Sequence, residues 1–537
     1  MHAAQPHLAP RAANHRPLSP LEHLARMLET RADQPAVIWR DRRWDWRGFG
    51  AMVARLAARL REAGIGQGDV VSVLLVNRPE MLAAHFAVPM LGAVLNSINT
   101  RLDAGVIAHI LAHSGSALLL AEPDTLETAR LAAAEGPLVV LLADPGPVPE
   151  GAWPITGSDE DPGLPDDILC NVADEWQPIC LNYTSGTTGL PKGAVYHHRG
   201  AALNALGNVL TMGFGAGSVY LWTLPMFHCN GWCHPWAVTA AGGVHVCLDK
   251  PEPGAIFAAI RDHGVTHMAC APVVLYMLLN HPDRSLRGGA PGRVTVGSGG
   301  AAPSVALISG MDALGFDFYH LYGLTESFGP ASACIASAGS TPEERAARLA
   351  RQGARHPTAS LLSVLDAEGQ PVPQDGETTG EITLRGNTLM AGYWRDPEAT
   401  ERAFAGGAFH TGDLAVRHPG GEIEIRDRAR DIIISGGENI SSLEVENALH
   451  RHPAVLLAAI VAAPDPKWGE VPCAFIELKE GAAVTGAELS AFARSHLAGY
   501  KLPRRYVFGP LPRTATGKIQ KYILRERLRQ GGEAHAD

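Results

Sequence analysis

Long apolar runs are missing from this 537-residue chain. No stretch reaches the ~18 residues that span a bilayer, so a membrane span is not expected. The opening MHAAQPHLAP has no apolar core of signal-peptide length. The closing GGEAHAD carries no anchor or address motif. Together these absences make a cytoplasmic location the expectation. Positive charge is also in short supply: 45 Lys and Arg stand against 55 Asp and Glu, a net charge of −10. That balance gives no reason to expect a nucleic-acid partner. An acidic protein that handles anions must instead focus positive charge locally. Cysteine is sparse, with eight residues scattered along a chain without a secretory leader, so reduced thiols are expected. The segment HCNGWCH (His228–His234) raises a zinc site, but no second ligand pair follows at zinc-finger spacing. It is read as a packed, aromatic-rich segment lining a pocket.

What is present is ample apolar material, 46% of residues with 19% charged. That is globular composition, and the length calls for about three or four compact units. Helical spacing at Leu21–Arg31, Gly48–Ala63 and near Glu80–Leu91 alternates with apolar runs at Pro35–Trp39, Asp69–Val76, Ala117–Leu120, Leu138–Leu142, Ile179–Asn182, Val244–Leu248 and Val294–Gly297. Strand–helix alternation of this kind predicts α/β layers with mostly parallel sheets. Asp144–Asp167, rich in Pro, Gly and Asp, is expected to be a surface loop. Short strands at Glu381–Arg385 and Leu414–Arg426 predict a β-rich part. A strand at Ile432–Ser435, a helix at Leu443–His450, strands at Ala458–Ala462 and Ala474–Leu478 and a helix at Ala487–Leu497 predict a small α+β unit. The expected division is a large N-terminal unit over 1–427, a hinge at 428–430 and a small C-terminal unit over 431–537.

The most informative stretch is YTSGTTGLPKG (Tyr183–Gly193). It combines four hydroxyls (Thr184, Ser185, Thr187, Thr188), three glycines (Gly186, Gly189, Gly193) and Lys192. Glycines let the backbone approach a bulky anion and their N–H groups form a nest. The hydroxyls add rotatable donors and the lysine adds a point charge suited to phosphate. The order is not that of a Walker A loop, because Gly193 follows Lys192. The apolar run just upstream predicts a buried strand delivering the loop, the usual mounting of a phosphate site.

This loop resembles the ATP-binding signature of the adenylate-forming superfamily of acyl-CoA synthetases, adenylation domains and luciferases, and further motifs follow in that family's order as far as Lys518. The resemblance implies a large N-terminal domain of layered sheets with a β-rich subdomain and a mobile α+β C-terminal domain. It implies that Thr184, Ser185, Gly186, Thr187, Thr188, Gly189 and Lys192 bind the phosphates of ATP. In YGLTES (Tyr322–Ser327), Tyr322 lies beside adenine, Thr325 offers a hydroxyl to phosphate, and Glu326 is the magnesium ligand. In GSGGAAP (Gly297–Pro303), Ala302 and Pro303 pack on adenine, while Gly299, Gly300 and Ala301 face the acyl group. His228 stands between the acyl pocket and the entry of the second substrate, and Trp232 lines that pocket. The resemblance implies that Asp413 holds the ribose and that Arg428 is a second ribose or phosphate contact. Arg430 falls at the hinge position, where the family usually has Asp or Lys. Lys518, in PRTATGKIQK, is the catalytic lysine; Thr184, His228 and Glu326 complete the catalytic set. For coenzyme A the resemblance implies Gly437 beside the thiol arm, and Trp468, Tyr500, Arg504 and Arg101 near the nucleotide.

The implied activity is an AMP-forming carboxylic acid:CoA ligase using ATP, Mg2+ and coenzyme A. The segment LPMFHCNGWCHPW most resembles the short- and medium-chain branch, with methylmercaptopropionate-CoA ligases and plant-type acyl-activating enzymes. The alternatives are a stand-alone adenylation enzyme loading a carrier protein, an aryl-acid CoA ligase, and a luciferase-like oxygenase. A homodimer is compatible with this reading.

Overall fold

A computed structural model describes residues 6–144, 146–158, 160–184, 191–282, 292–300, 303–335, 341–359, 361–514 and 518–530. Among these residues four sheets form. In the first, Pro178–Tyr183, Val94–Ser97, Val70–Leu74, Ser116–Ala121 and Leu138–Leu141 lie parallel in that order. The central strands Val94–Ser97 and Val70–Leu74 are short, largely apolar runs buried on both faces, as a parallel sheet under helices requires, while Leu138–Leu141 at the edge is partly exposed. Gly193–His197 and Gly392–Tyr393 add antiparallel at the edge. The expected parallel character therefore holds for the centre and gives way at the rim.

The second sheet has nine strands. Its parallel centre runs Phe316–Leu324, Val294–Ser298, His267–Cys270, Val219–Trp222, Val244–Cys247 and Pro35–Trp39, and its edge strands are antiparallel. A third, antiparallel sheet holds Leu361–Leu365, Gly380–Arg385, Phe409–Arg417 and Ile423–Arg428. The last sheet starts at Ile433 and is built on a long hairpin of Val455–Asp465 with Gly469–Leu478. That hairpin extends well past the two short strands expected there. Pro464 and Pro472 sit within it, and prolines of this kind obscure a strand in sequence.

The two large sheets are joined by buried polar groups as well as by apolar packing. Asn77 donates to the carbonyls of Trp222 (2.9 Å) and Leu224 (3.0 Å) and accepts from the Met226 N–H (2.8 Å). Arg78, 1% exposed, makes a fork to Glu80 (2.7 and 3.0 Å) and reaches Glu122 (3.2 Å) and Asp144 (3.0 Å). Removing one partner from such a buried network leaves an uncompensated charge, at a cost of about 3–5 kcal/mol. No described helix is long and apolar enough to cross a membrane.

Candidate active site

The site lies where the C-terminal ends of the two large sheets face the last sheet. The strand Pro178–Tyr183 delivers Thr184, whose N–H donates to the Lys192 carbonyl (2.8 Å), closing the neck of the glycine-rich loop. Ser185, Gly186, Thr187, Thr188 and Gly189 lie outside the described residues, as do Ala301 and Ala302. The Lys192 ammonium stands 3.9 Å from Asp396 and 5.1 Å from the centre of the Tyr393 ring. Neither partner was foreseen. They arrive because Trp394 N–H donates to the Gly193 carbonyl (2.7 Å), laying the segment 391–396 along the rim.

Tyr393 also donates to Glu326 Oε1 (2.8 Å). Glu326 occupies a single helical turn after the strand Phe316–Leu324, pinned by Ser327 Oγ, which accepts from Leu324 N–H (2.9 Å). The neighbouring Thr325 is held twice: Tyr196 donates to its carbonyl (2.7 Å), and the Cys229 thiol points at its Oγ1 (3.6 Å). Burial pushes the Cys229 thiol up to about 12, so it stays protonated and acts as a donor. A hard carboxylate and a hydroxyl side by side form the donor set that suits Mg2+ completed by phosphate oxygens.

Tyr322, expected beside adenine, is buried and its hydroxyl donates to Asp413 Oδ2 (2.7 Å). Arg428 Nε pairs with Asp413 Oδ1 at 3.1 Å. The expected ribose clamp thus stands anchored on both oxygens, each retaining a lone pair for a further donor. Lys518 sits on the loop after Arg513, fixed by Thr514 N–H to its carbonyl (2.8 Å) and by its own N–H to Thr514 Oγ1 (3.1 Å). Its side chain keeps some exposed surface yet lies deep among charged neighbours. Burial foremost, then the Arg428 charge, brings its ammonium down from 10.5 to about 7, while Asp413 opposes them. Arg430 adds to the lowering and Asp431 resists it. Three cations therefore crowd two carboxylates, an arrangement relieved by an incoming anion. Burial, and then the charge of Lys518, hold the His228 imidazole down at about 4, in its neutral form.

After His228 the backbone does something unusual. Cys229, Asn230, Gly231, Trp232 and Cys233 have φ of 42°, 42°, 54°, 54° and 62° in succession. Single non-glycine residues visit the left-handed region, but runs do not, at roughly 1–2 kcal/mol per residue. Such strain concentrates where a site needs it. The turn aims Trp232 at Gly299: a Cβ on Gly299 would lie 3.0 Å from the tip of the indole and 2.3 Å from the Leu321 carbonyl. Trp232 and Gly299, two of the residues expected at the acyl pocket, thus stand against each other. Gly300 (φ 85°) is open on its side-chain face, and Pro303 lines a cleft with Ile425 of the strand Ile423–Arg428 and with Leu443 and Asn447 of the helix Ser442–Leu449. This is also where HCNGWCH goes. Among the described residues no three His, Cys, Asp or Glu are grouped to hold a metal.

Of the residues expected near coenzyme A, Trp468 packs over Gly436, where a Cβ would stand 2.7 Å from the ring, and Arg504 lies 5.8 Å from the ring centre. Gly437 has φ 89° and open space beside it. Tyr500 is exposed beside Lys501. Arg101 stands apart from these, on the turn between Val94–Ser97 and the helix Ala104–Ser114.

Residues 24–394 match the AMP-binding enzyme family, and residues 444–518 match the AMP-binding enzyme C-terminal domain. The chain belongs to the AMP-binding enzyme family. It is 43% identical to the acetate/butyrate–CoA ligase AAE7 of Arabidopsis thaliana, over 97% of this chain and 96% of that one. It shares 43% with the acetate–CoA ligase CCL3 of Humulus lupulus, over 97% and 96%. The anthranilate CoA ligase AuaEII, solved with anthranoyl-AMP, superposes with a TM-score of 0.86 at 25% identity, covering 96% of this chain and 98% of that one. The chain is thereby an AMP-forming acid:CoA ligase of the adenylate-forming superfamily, and ATP, an acid and coenzyme A are the substrates that fit the family. The cytoplasmic expectation is overturned: AAE7, AAE11 and the trans-cinnamate:CoA ligase of Petunia hybrida are all named as peroxisomal. The lack of an apolar leader speaks to secretion and does not discriminate the cytosol from an organelle.

Proposed function

We propose that this ligase activates a short aliphatic carboxylic acid, using Mg-ATP, and passes the acyl group to coenzyme A. The observation that carries the acid class is the indole of Trp232 lying against Gly299, which would close the acyl pocket at that wall. The names of the relatives agree in kind: acetate, butyrate and 2-methylpropanoate. An aryl acid is the second reading, favoured by the trans-cinnamate:CoA ligase at 41% identity, but a flat ring would have to displace Trp232.

In the first step a carboxylate oxygen attacks the α-phosphorus of ATP and pyrophosphate leaves. Lys518, charged once an anion is bound, would bridge the carboxylate and the α-phosphate and offset the charge developing there. Asp413 would accept from the ribose hydroxyls. The neck of the phosphate loop and Lys192 would hold the β- and γ-phosphates. Glu326, kept oriented by Tyr393, would hold Mg2+ with Thr325 beside it, and the ion would supply charge neutralisation on the phosphates. In the second step the thiolate of coenzyme A attacks the acyl carbonyl and AMP leaves. Trp468, Arg504 and Gly437 would serve the second step and Lys518 the first, so we propose that the unit from 431 onward rotates about residues 428–430 between steps. Ser442 N–H and hydroxyl to Asp427 (2.5 and 3.1 Å) and Ser441 to the Arg426 carbonyl (2.6 Å) bridge that hinge. They would break on rotation.

Pyrophosphate release across a panel of acids, with and without coenzyme A, tests this reading. Turnover only with coenzyme A, strongest for acids of two to four carbons, is expected. Acid-dependent release indifferent to coenzyme A would point to carrier-protein loading.

A further inference from the structure

Two backbone bonds close the left-handed turn, Gly231 N–H to the His228 carbonyl (2.9 Å) and Cys233 N–H to the Asn230 carbonyl (3.1 Å). The Trp232 carbonyl and the Asn230 amide are taken up instead by asparagines from neighbouring elements. Asn208, on the helix His198–Met212, donates from Nδ2 to the Trp232 carbonyl at 2.7 Å. One helical turn earlier Asn204 donates to the Phe328 carbonyl (2.5 Å), which also accepts from the Cys233 thiol (3.4 Å). From the phosphate-loop strand, Asn182 and Asn230 exchange two bonds: Nδ2 to Asn230 Oδ1 (2.5 Å) and Asn230 N–H to Asn182 Oδ1 (3.0 Å). Asn204, Asn208 and Asn230 are wholly buried and Asn182 is 2% exposed. A buried amide with a fixed partner resists rearrangement, because leaving a carbonyl unpaired costs about 1–3 kcal/mol. Of the three clamps only Asn208 grips Trp232 itself.

We infer that Asn208 is a positioning residue for acyl specificity: by holding the Trp232 carbonyl it keeps residue 232 left-handed and its indole seated on Gly299, and so limits the length of acid accepted. The inference rests on the proposed acyl reading. Without the Asn208 donor, Trp232 relaxes toward ordinary backbone angles, which gains back strain energy and swings the indole off Gly299. Room for added methylenes then appears at the end of the pocket, each such group being worth roughly 10- to 200-fold in discrimination.

The test compares wild type, Asn208→Leu, Trp232→Ala and the double variant. Each is assayed for kcat/KM of pyrophosphate release with straight-chain acids of two to eight carbons, together with its melting temperature. Leucine keeps the branched shape of asparagine and lacks the donor. The expected result for Asn208→Leu is a rise of about tenfold in the ratio of hexanoate to acetate kcat/KM, absent when the same change is made on Trp232→Ala. A uniform fall for all acids with the ratio unchanged would overturn the inference, as would an equal shift in the Trp232→Ala background. Should Asn208→Leu not fold, Asn208→Ser carries the same expectation with a smaller shift, and an unshifted ratio there overturns it. A wild type that releases pyrophosphate with no acid overturns the ligase reading and the specificity role with it. The clamp is then judged separately by hydrogen exchange at residues 229–233, where unchanged protection in the variant would refute it.

Discussion

The two halves of this site are built on opposite principles. Around His228–Cys233 the strained backbone is held from outside: buried asparagines take the Trp232 carbonyl and the Asn230 amide, and the Cys233 thiol is tied to the Phe328 carbonyl. Around Lys518 the side chain rests on a short loop fixed by two bonds to Thr514, in a cluster with more positive than negative charge. The first half is a preformed mould. The second is poised to bind an anion and then to leave. A ligase that runs two reactions in one cleft needs both, since the acyl group must stay fixed while the groups around it are exchanged.

The largest effect that would separate the halves is Lys518→Ala. Adenylation should fall by about 10²- to 10³-fold, the scale of losing one charge-stabilising donor, while thioester formation from preformed acyl-AMP and coenzyme A stays near wild type. Single-turnover assays of each half-reaction measure this directly. Equal losses in both would tie Lys518 to the mould instead.

Asp413→Asn comes next. It removes the carboxylate shared by Arg428, Tyr322 and the expected ribose, so kcat/KM for ATP should drop about 10- to 100-fold with the acid profile unchanged. The same variant sharpens a pH prediction. Lys518 is charged below about 7 and neutral above it in the free enzyme, so kcat/KM for ATP should fall as pH rises through 7. Bound phosphate favours the ammonium, so the limb should be weaker in kcat. Asp413 is the group that raises the Lys518 value most, and its loss should move the limb to lower pH. A pH profile of kcat/KM that stays flat from 6 to 9 would contradict the electrostatics assigned to this cluster.

Much of this contrast was hidden in the sequence, and for different reasons in each half. The parallel strands were legible because burial on both faces leaves a mostly apolar run, as in Val70–Leu74 and Pro178–Tyr183, with Ser72 and Asn182 as the polar exceptions. Asp413, Arg428 and Lys518 were legible because chemistry fixes their residue types within short motifs, and the structure brings them together. The edge strands Gly193–His197 and Gly392–Tyr393 were not, since an antiparallel rim depends on distant pairing and leaves no local period. Nor was the left-handed turn: only Gly231 in it announces φ above zero, and Asn230 is merely tolerant. The asparagines that clamp it lie 24 and 48 residues from their partners, and nothing distinguishes Asn182 or Asn208 from any other polar residue until the fold buries it. Tyr393 and Asp396 reach Lys192 and Glu326 by the same long-range route.

The mould can be probed from inside with Gly299→Ala. The new methyl would meet the Leu321 carbonyl at 2.3 Å and the Trp232 indole at 3.0 Å. A backbone carbonyl in a sheet cannot yield cheaply, so the expected result is overpacking of about 1–3 kcal/mol. It should be seen as a lower melting temperature and a roughly tenfold higher KM for the acid, with KM for ATP little changed. An unaltered acid KM would mean that the acyl group does not reach this wall.

The smallest expected effect belongs to Tyr322→Phe, and its smallness is itself informative. The phenyl ring stays in place and one neutral donor to Asp413 Oδ2 is lost, worth about 1 kcal/mol or fivefold. If the ribose of ATP donates to the same carboxylate, bound nucleotide replaces part of what the phenol supplied, so KM for ATP should rise by less than the change in the free enzyme suggests. The Tyr322 hydroxyl then serves to hold Asp413 aligned before ATP arrives, a duty that belongs to the mould although the carboxylate it serves faces the moving half. Isothermal titration with ATP decides the point. A loss of more than about tenfold in affinity would give the phenol a direct hydrogen bond to nucleotide, in place of the indirect one through Asp413.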